Sequence, residues 1–221
     1  MIDELNVMVA GAAGQGMQTI GFILGKILIR GGYEVFAMQD NESRIRGGHN
    51  FFQIRGSRNP VRSASMPLQV LIALNQESID RHGHDVVDSG VIIFDSEKCT
   101  VAENDRRLLG LSLERLAVEK GGNRIFENAV AIGAVLALLG WDFQRLDDFL
   151  KEYFAAKPDT VKDNVSAARA GYEATRKEVE RFKALSFPPR ESTSKMFITG
   201  HEAVALGALA AGCQFMSAYP M

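Results

Sequence analysis

The sequence predicts an α/β fold: a mostly parallel, Rossmann-like sheet with helices on both faces, a helical C-terminal finish, and then a βαβ fragment of a second domain. Three observations carry that prediction. An apolar run, ELNVMVA, breaks into the glycine turn GAAGQG and then into a helical pattern. Further apolar, β-branched runs recur up to about residue 100. Beyond it the apolar spacing becomes helical as far as residue 184.

ELNVMVA has the mix of a buried strand. In QTIGFILGKILIRGG, residues Ile20, Ile23, Leu24, Ile27 and Leu28 recur at helical spacing, and Gly31-Gly32 ends the helix. YEVFAMQ is a second strand, so strand, turn, helix and strand form a βαβ unit with parallel strands and a right-handed crossover. After the polar stretch DNESRIRGGHN, NFFQIR alternates like a strand, and SRNPVR is a turn. LQVLIAL and VIIFDS are buried strands on either side of QESIDRHGHDV, a helix or turn. LSLERLAVEKGG, NAVAIGAVLALLGW, FQRLDDFLKEYFAAK and the long polar DTVKDNVSAARAGYEATRKEVERFKAL read as helices. The expected domain plan is 1–184 as one domain, 185–195 as a linker around SFPPRESTSK, and 196–221 as the start of another, with KMFITG and CQFMSAYPM as strands flanking the helix HEAVALGALAAG. A βαβ piece of that size cannot bury its own faces, so it is expected to continue or to pack on the first domain.

Composition excludes several functions. The chain has 221 residues, 46% hydrophobic and 24% charged, with a formal net charge of -2. Nothing in that balance draws it to nucleic acid or an anionic membrane. The longest apolar runs, 130–141 and 205–213, fall short of the roughly 20 residues of a membrane span, and MIDELNV lacks the build of a secretion signal. A cytoplasmic location is the expectation. The two cysteines, Cys99 and Cys213, have no metal-ligand spacing, and an iron–sulfur cluster needs about four thiolates. His82 and His84 form a His-x-His pair with only Asp80 and Asp85 nearby, which suits a solvated loop better than a metal. No catalytic residue and no metal site is assigned.

Two stretches carry candidate chemistry. Gly11, Gly14 and Gly16 follow a strand and open a helix, where unpaired N–H groups and the positive dipole end favour an anion. Gln15 and Thr19 offer side-chain donors. The competing view is a tight turn that serves packing alone. The spacing Gly-x-x-Gly-x-Gly differs from the Gly-x-Gly-x-x-Gly dinucleotide fingerprint. A nicotinamide-nucleotide domain remains an alternative through Asp40, close to the end of the second strand, where a ribose-binding acid is expected. The second stretch, NESRIRGGHN, places Arg46, Gly47, Gly48, His49 and Asn50 after that same strand. An arginine fork beside a glycine turn suits phosphate or carboxylate, against an internal ion pair from Arg46 to Glu42 or Asp40. Both loops leave carboxyl ends of strands and are expected to share one rim.

Together, VAGAAGQGMQTIG and GGYEVFAMQDNESRIRGGHNFFQIR resemble the gamma domain of the 2-oxoacid:ferredoxin (or flavodoxin) oxidoreductases, with GAAGQG and ESRIRGG as the characteristic segments. NAVAIGAVLALLG and DNVSAARAGYEAT resemble later helices of that domain, and KMFITGHEAVALGALAAGCQFMSAYPM resembles the start of the thiamine-diphosphate-binding alpha domain. The resemblance implies a subunit of an enzyme that oxidatively decarboxylates a 2-oxoacid to an acyl-CoA. Electrons would pass to ferredoxin or flavodoxin. Thiamine diphosphate would lie between the rest of the alpha subunit and a separate beta subunit, with iron–sulfur clusters on other polypeptides or domains. The expected assembly is a dimer of heterodimers. The Gly11–Gly16 and Arg46–Asn50 stretches would meet coenzyme A or a neighbouring subunit. A purely structural docking module is the non-enzymatic alternative.

Overall fold

The computed structural model describes residues 2–42, 48–102, 104–191 and 195–219. Strand β1 (Glu4–Ala12) leads through the glycine turn into helix α1 (Met17–Arg30), and β2 (Glu34–Asn41) follows. Then come β3 (His49–Ser57), β4 (Leu68–Ala73), α2 (Gln76–His82), β5 (Val86–Asp95) and β6 (Leu108–Leu111). The helical finish is α3 (Leu113–Gly121), α4 (Glu127–Leu139), α5 (Phe143–Tyr153) and α6 (Pro158–Arg176), and α7 (Gly200–Ala210) stands last.

The sheet has the order β2-β3-β1-β4-β5-β6. β1, β4, β5 and β6 are parallel neighbours, as expected. β1 and β2 also run in the same direction, but they are not neighbours. β3 lies between them, antiparallel to both, so the simple βαβ pairing is corrected to one with an inserted return strand. Hydrophobic periodicity reports which face of a strand is buried and carries no information about its partner. β6 was not foreseen. Its four residues LLGL run into the helical stretch and are too short to show a period of their own.

Odd-numbered residues of β1, Leu5, Val7 and Val9, face the main core with α1, α3, α4, α5 and α6. Met8 and Ala10 face a smaller cluster closed by Ile79 of α2, Cys99 and Val101. Helices therefore lie on both faces, unequally. α1 buries the residues whose spacing predicted it, and Gly31-Gly32 ends it, with Gly32 at φ +80°. α4 is buried from Ala129 to Leu139, which explains why its sequence is apolar all round. Asp95, at the end of β5, accepts hydrogen bonds from the Glu97 and Glu114 N–H groups and so fixes the start of α3.

The segment after α6 is docked on this body. Phe187 is fully buried and stacks on Tyr33 at 3.9 Å. The Trp141 indole N–H donates to the Phe187 carbonyl at 2.7 Å, and the Arg190 N–H to the Gly31 carbonyl at 2.8 Å. Further on, α7 forms as expected, started by a reciprocal cap between Thr199 and Glu202, and buries no residue. The flanking strands do not form: 195–199 and 213–219 carry no regular secondary structure. A strand requires a neighbour for its backbone hydrogen bonds, and among the described residues no strand pairs with these segments.

Candidate functional site

The loop between β1 and α1 is bent by glycine. Gly14 has φ +91° and Gly16 has φ +80°, in the region that costs other residues most. Gly16 is also the N-cap of α1. No side chain caps that terminus, and the first turn holds no acidic residue, so its N–H groups and dipole end face outward.

They face a cleft of about 480 Å³ lined by Ala13, Gly14, Gly16, Met17, Gln18, Thr19, Gln39, Asn41, Asn50 and His201. Gly14, Gly16, Thr19 and Asn50 were anticipated, and the structure brings them together. Gln18, Gln39 and Asn41 were not. The Gln18 amide donates to Gln39 at 2.9 Å, and Gln39 to Asn41 at 2.7 Å. The signal for Gln39 and Asn41 was period-two alternation: both fall on the cleft side of β2 and Asp40 on the other. His201 reaches the cleft from the start of α7, a tertiary arrangement that no local pattern announces.

A second cleft, also about 480 Å³, shares Gly14 and is lined by Gln15, Leu74, Lys98, Glu114, Asn123, Arg124, Ile125, Glu127 and Asn128. One of its two cations is already neutralised: Lys98 Nζ lies 2.7 Å from Glu114 and 3.0 Å from Glu127, and Arg124 is the other.

Other anticipated residues have different places. Gln15 does not present a donor to the first cleft. Its Oε1 accepts from the Ala12 N–H at 2.6 Å, and its Nε2 donates to the Leu74 carbonyl at 3.1 Å. Gly11 makes room for that side chain: a Cβ there would lie 2.7 Å from Gln15 Oε1. His49 pairs with Ala12 across the β1–β3 ladder, so the second stretch ends at the same rim. Successive strand residues point to opposite faces. Asn50 therefore lines the first cleft, while His49 turns away and meets His82 of α2. Gly48 has φ +71° and lines neither cleft. Arg46 and Gly47 lie outside the described residues.

His49 is 5% exposed, and its Nδ1 is buried without a hydrogen-bond partner. Burial first, then His82 and Arg81, push its imidazole below the ordinary range, against smaller opposing effects of Glu77 and Glu42. Arg81 bonds Glu42 and Glu77, each at 2.7 Å, and Glu42 accepts the His49 N–H at 2.9 Å. The hydrogen bond from the His49 N–H, and then that from Arg81, hold the Glu42 carboxyl below its usual range.

The dinucleotide alternative loses its geometric support. β3 separates β2 from β1, which puts Asp40 two strand spacings, roughly 9.6 Å, from the loop's own strand. Asp40 is exposed and lines neither cleft.

A strand, a glycine turn and an uncapped helix start facing an amide-lined cleft place this site in a Rossmann-like domain. Residues 6–174 match the model of the pyruvate ferredoxin/flavodoxin oxidoreductase family, and the chain belongs to that family. It is 24% identical to the 2-oxoacid:ferredoxin oxidoreductase 2 alpha subunit of Aeropyrum pernix, over 99% of this chain and 41% of that one. Its fold matches, with a TM-score of 0.84 and 22% identity, a 2-oxoglutarate:ferredoxin oxidoreductase of Magnetococcus marinus solved with 2-oxoglutarate, coenzyme A and succinyl-CoA bound, covering 96% of this chain and 38% of that one. The gamma subunit of a keto/oxoacid ferredoxin oxidoreductase from Geobacter sulfurreducens aligns with a TM-score of 0.64 and 25% identity, over 77% of this chain and 98% of that one. The chain thus spans about two-fifths of the alpha-subunit relative, and 77% of it covers nearly all of the gamma subunit.

Proposed function

We propose that this chain is the gamma domain and the beginning of the alpha domain of a 2-oxoacid:ferredoxin oxidoreductase alpha subunit. The complete enzyme would convert a 2-oxoacid and coenzyme A to acyl-CoA and carbon dioxide, and deliver two electrons, one at a time, to ferredoxin or flavodoxin. The observation that carries this reading is the first cleft: an uncapped helix start with no acidic residue, lined by amides and open to solvent, in a chain of this family. A phosphate group of coenzyme A suits it. The α1 N–H groups would bind the phosphate, and the Thr19 hydroxyl and the amides of Gln18 and Asn50 would orient it.

The family implies thiamine diphosphate and iron–sulfur clusters, and this chain's thiols do not fit a cluster. Cys99 is half-buried and Cys213 exposed, and two thiols cannot hold a cluster alone. Among the described residues no group of three or more His, Cys, Asp or Glu side chains is placed to hold a metal ion. Both cofactors belong to the rest of the alpha subunit, to a beta subunit or to further chains. The exposed apolar residues Val204, Leu206 and Leu209 of α7 suit a surface covered by the rest of the alpha subunit. Among the described residues no single helix is long and apolar enough to cross a membrane.

The test is reconstitution of the full-length alpha chain with its beta subunit, thiamine diphosphate and a viologen acceptor. Reduction that requires both a 2-oxoacid and coenzyme A is expected. A properly assembled complex that ignores every 2-oxoacid overturns the reading.

A further inference from the structure

The two clefts meet at Gly14, and the loop is held very differently on its two sides. Towards the second cleft it is clamped. Gln15 reaches across the crevice between the ends of β1 and β4, bonding the Ala12 N–H on one strand and the Leu74 carbonyl on the other. Asn75 donates to Gln15 Oε1 at 3.3 Å, and the same Asn75 caps α2 by accepting from the Ser78 N–H at 2.9 Å. Asn128 of α4 presses on Gly16 so closely that a Cβ there would lie 2.0 Å from its Nδ2. Towards the first cleft the described residues leave Gly14 open: a Cβ on it would meet none of their atoms within 4 Å.

We propose that Gln15 is a positioning residue which divides the crevice at the ends of β1 and β4 into two clefts and aims the first turn of α1 into the first of them. In an open sheet of this kind that crevice is where ligands enter. Here the protein fills it with its own amide, and the ligand is displaced to the α1 side. The amide is suited to the task because it accepts from one strand and donates to the other at once. A carboxylate would face the Leu74 carbonyl without a donor, and an alkyl chain would bond neither strand. Gly11 is the complementary device, since any side chain at that position would collide with Gln15. The hydrogen bonds of the Gln15 side chain go to Ala12, Leu74 and Asn75 and not to the α1 first turn, so its effect on a ligand there is indirect.

This inference takes its ligand from the coenzyme A reading, and its test separates the two. Gln15→Met keeps the bulk of the side chain and removes both strand bonds, and Gln15→Ala removes the bulk as well. In the assembled complex both variants are expected to raise the KM for coenzyme A at least tenfold, with kcat and the KM for the 2-oxoacid within about twofold of wild type. Without any ligand, amide hydrogen exchange over residues 12–19 should accelerate at least tenfold in both, while a remote surface variant, Gln144→Ala, leaves it unchanged. A Gln15→Met complex that matches wild type in loop exchange overturns the proposal, whatever the outcome with coenzyme A. So does accelerated exchange with an unchanged KM for coenzyme A in a wild-type complex that saturates with it. If the wild-type complex shows no dependence on coenzyme A, the functional reading falls, and loop exchange alone decides the role of Gln15.

Discussion

The Nε2 atoms of His49 and His82 lie 2.8 Å apart, so one ring must donate and the other accept. His82 Nδ1 is 3.2 Å from Asp85 Oδ2, which favours the tautomer carrying a proton there. His82 Nε2 is then the acceptor and His49 the donor, leaving His49 Nδ1 as a bare buried lone pair. Two protonated rings cannot keep this contact, because both would donate. The pair ties the first residue of β3 to α2, and His49 is the ladder partner of Ala12 at the glycine loop.

A pH dependence with a definite sign follows from His49. Burial lowers its folded-state pKa beneath the ordinary value of 6.5. The unfolded chain therefore takes up the proton first as pH falls. Stability is complete above about 6.5 and is lost as the pH drops towards the folded-state value, with a slope of at most about 1.4 kcal/mol per pH unit for this one proton. Urea midpoints measured between pH 8 and pH 5 should show this loss. His49→Gln should flatten the profile, while His84→Gln, at an exposed ring, should leave the slope as it is. Equal slopes in wild type and His49→Gln would rule the pair out as its origin.

At Gly14 the glycine is demanded by backbone and not by space. Its φ is +91° and nothing lies within 4 Å of a Cβ placed there. Gly14→Ala is expected to cost about 1–2 kcal/mol, and Gly14→Asn less, because asparagine enters the left-handed region more readily. Gly14→Val should be the worst of the three, since a β-branched side chain adds restriction at χ1. Thermal denaturation of the three variants checks the order. Gly16→Ala carries the same backbone strain and must also displace Asn128, so it should exceed Gly14→Ala.

The sheet's strands were legible because burial leaves a period of two or a continuous apolar run, as in VMVA and VIIF. α1 was legible because five aliphatic residues repeat on one face. What escaped was partnership. The insertion of β3 between β1 and β2 depends on long-range pairing, and β6 is too short for any period. Among candidate site residues, Gly14, Gly16, Thr19 and Asn50 were readable as a shared rim. The inward turn of Gln15 was not, because it depends on Leu74, 59 residues away. His82 had been weighed with His84, its neighbour in sequence. Its partner is His49, 33 residues distant.

The crossing of α4 and α6 makes a severe prediction. A Cβ on Gly133 would lie 1.9 Å from the Ala168 carbonyl oxygen, and one on Gly171 would lie 2.0 Å from that of Val130. Backbone cannot yield as a side chain does. Each glycine-to-alanine change should therefore cost about 3 kcal/mol or more, at the upper end of overpacking and a large part of a domain's net stability. Gly207 in α7 has nothing within 4 Å of its Cβ, so Gly207→Ala should be neutral or stabilise by up to about 1 kcal/mol through helix propensity. Calorimetric unfolding of the three variants would show this contrast. A mild effect at Gly133 would mean that the two helices pack less closely than described.

The attachment of residues 195–201 yields a prediction in which a better helix former loosens the protein. Phe197 is half-buried and meets Phe22 edge-on, with ring centroids 6.0 Å apart. A Cβ on Gly25 of α1 would lie 2.8 Å from the Phe197 ring, so the absence of a side chain there forms its seat. Lys195 adds an ion pair to Glu34, and beyond Phe197 the chain delivers His201 to the first cleft. Gly25→Ala should raise the intrinsic helix stability of α1 by about 1 kcal/mol and still evict the ring. Phe197→Ala empties the same seat directly, at a local cost of about 1–2 kcal/mol for a side chain that was only half-buried. Phe197→Ala should leave the global unfolding midpoint nearly unchanged, and Gly25→Ala should leave it unchanged or raise it by about 2–4 °C. Both should speed proteolytic cleavage between residues 190 and 200 and hydrogen exchange over 195–199. If Gly25→Ala leaves that segment as protected as in wild type, the Phe197 seat does not hold it, and His201 reaches the cleft for another reason.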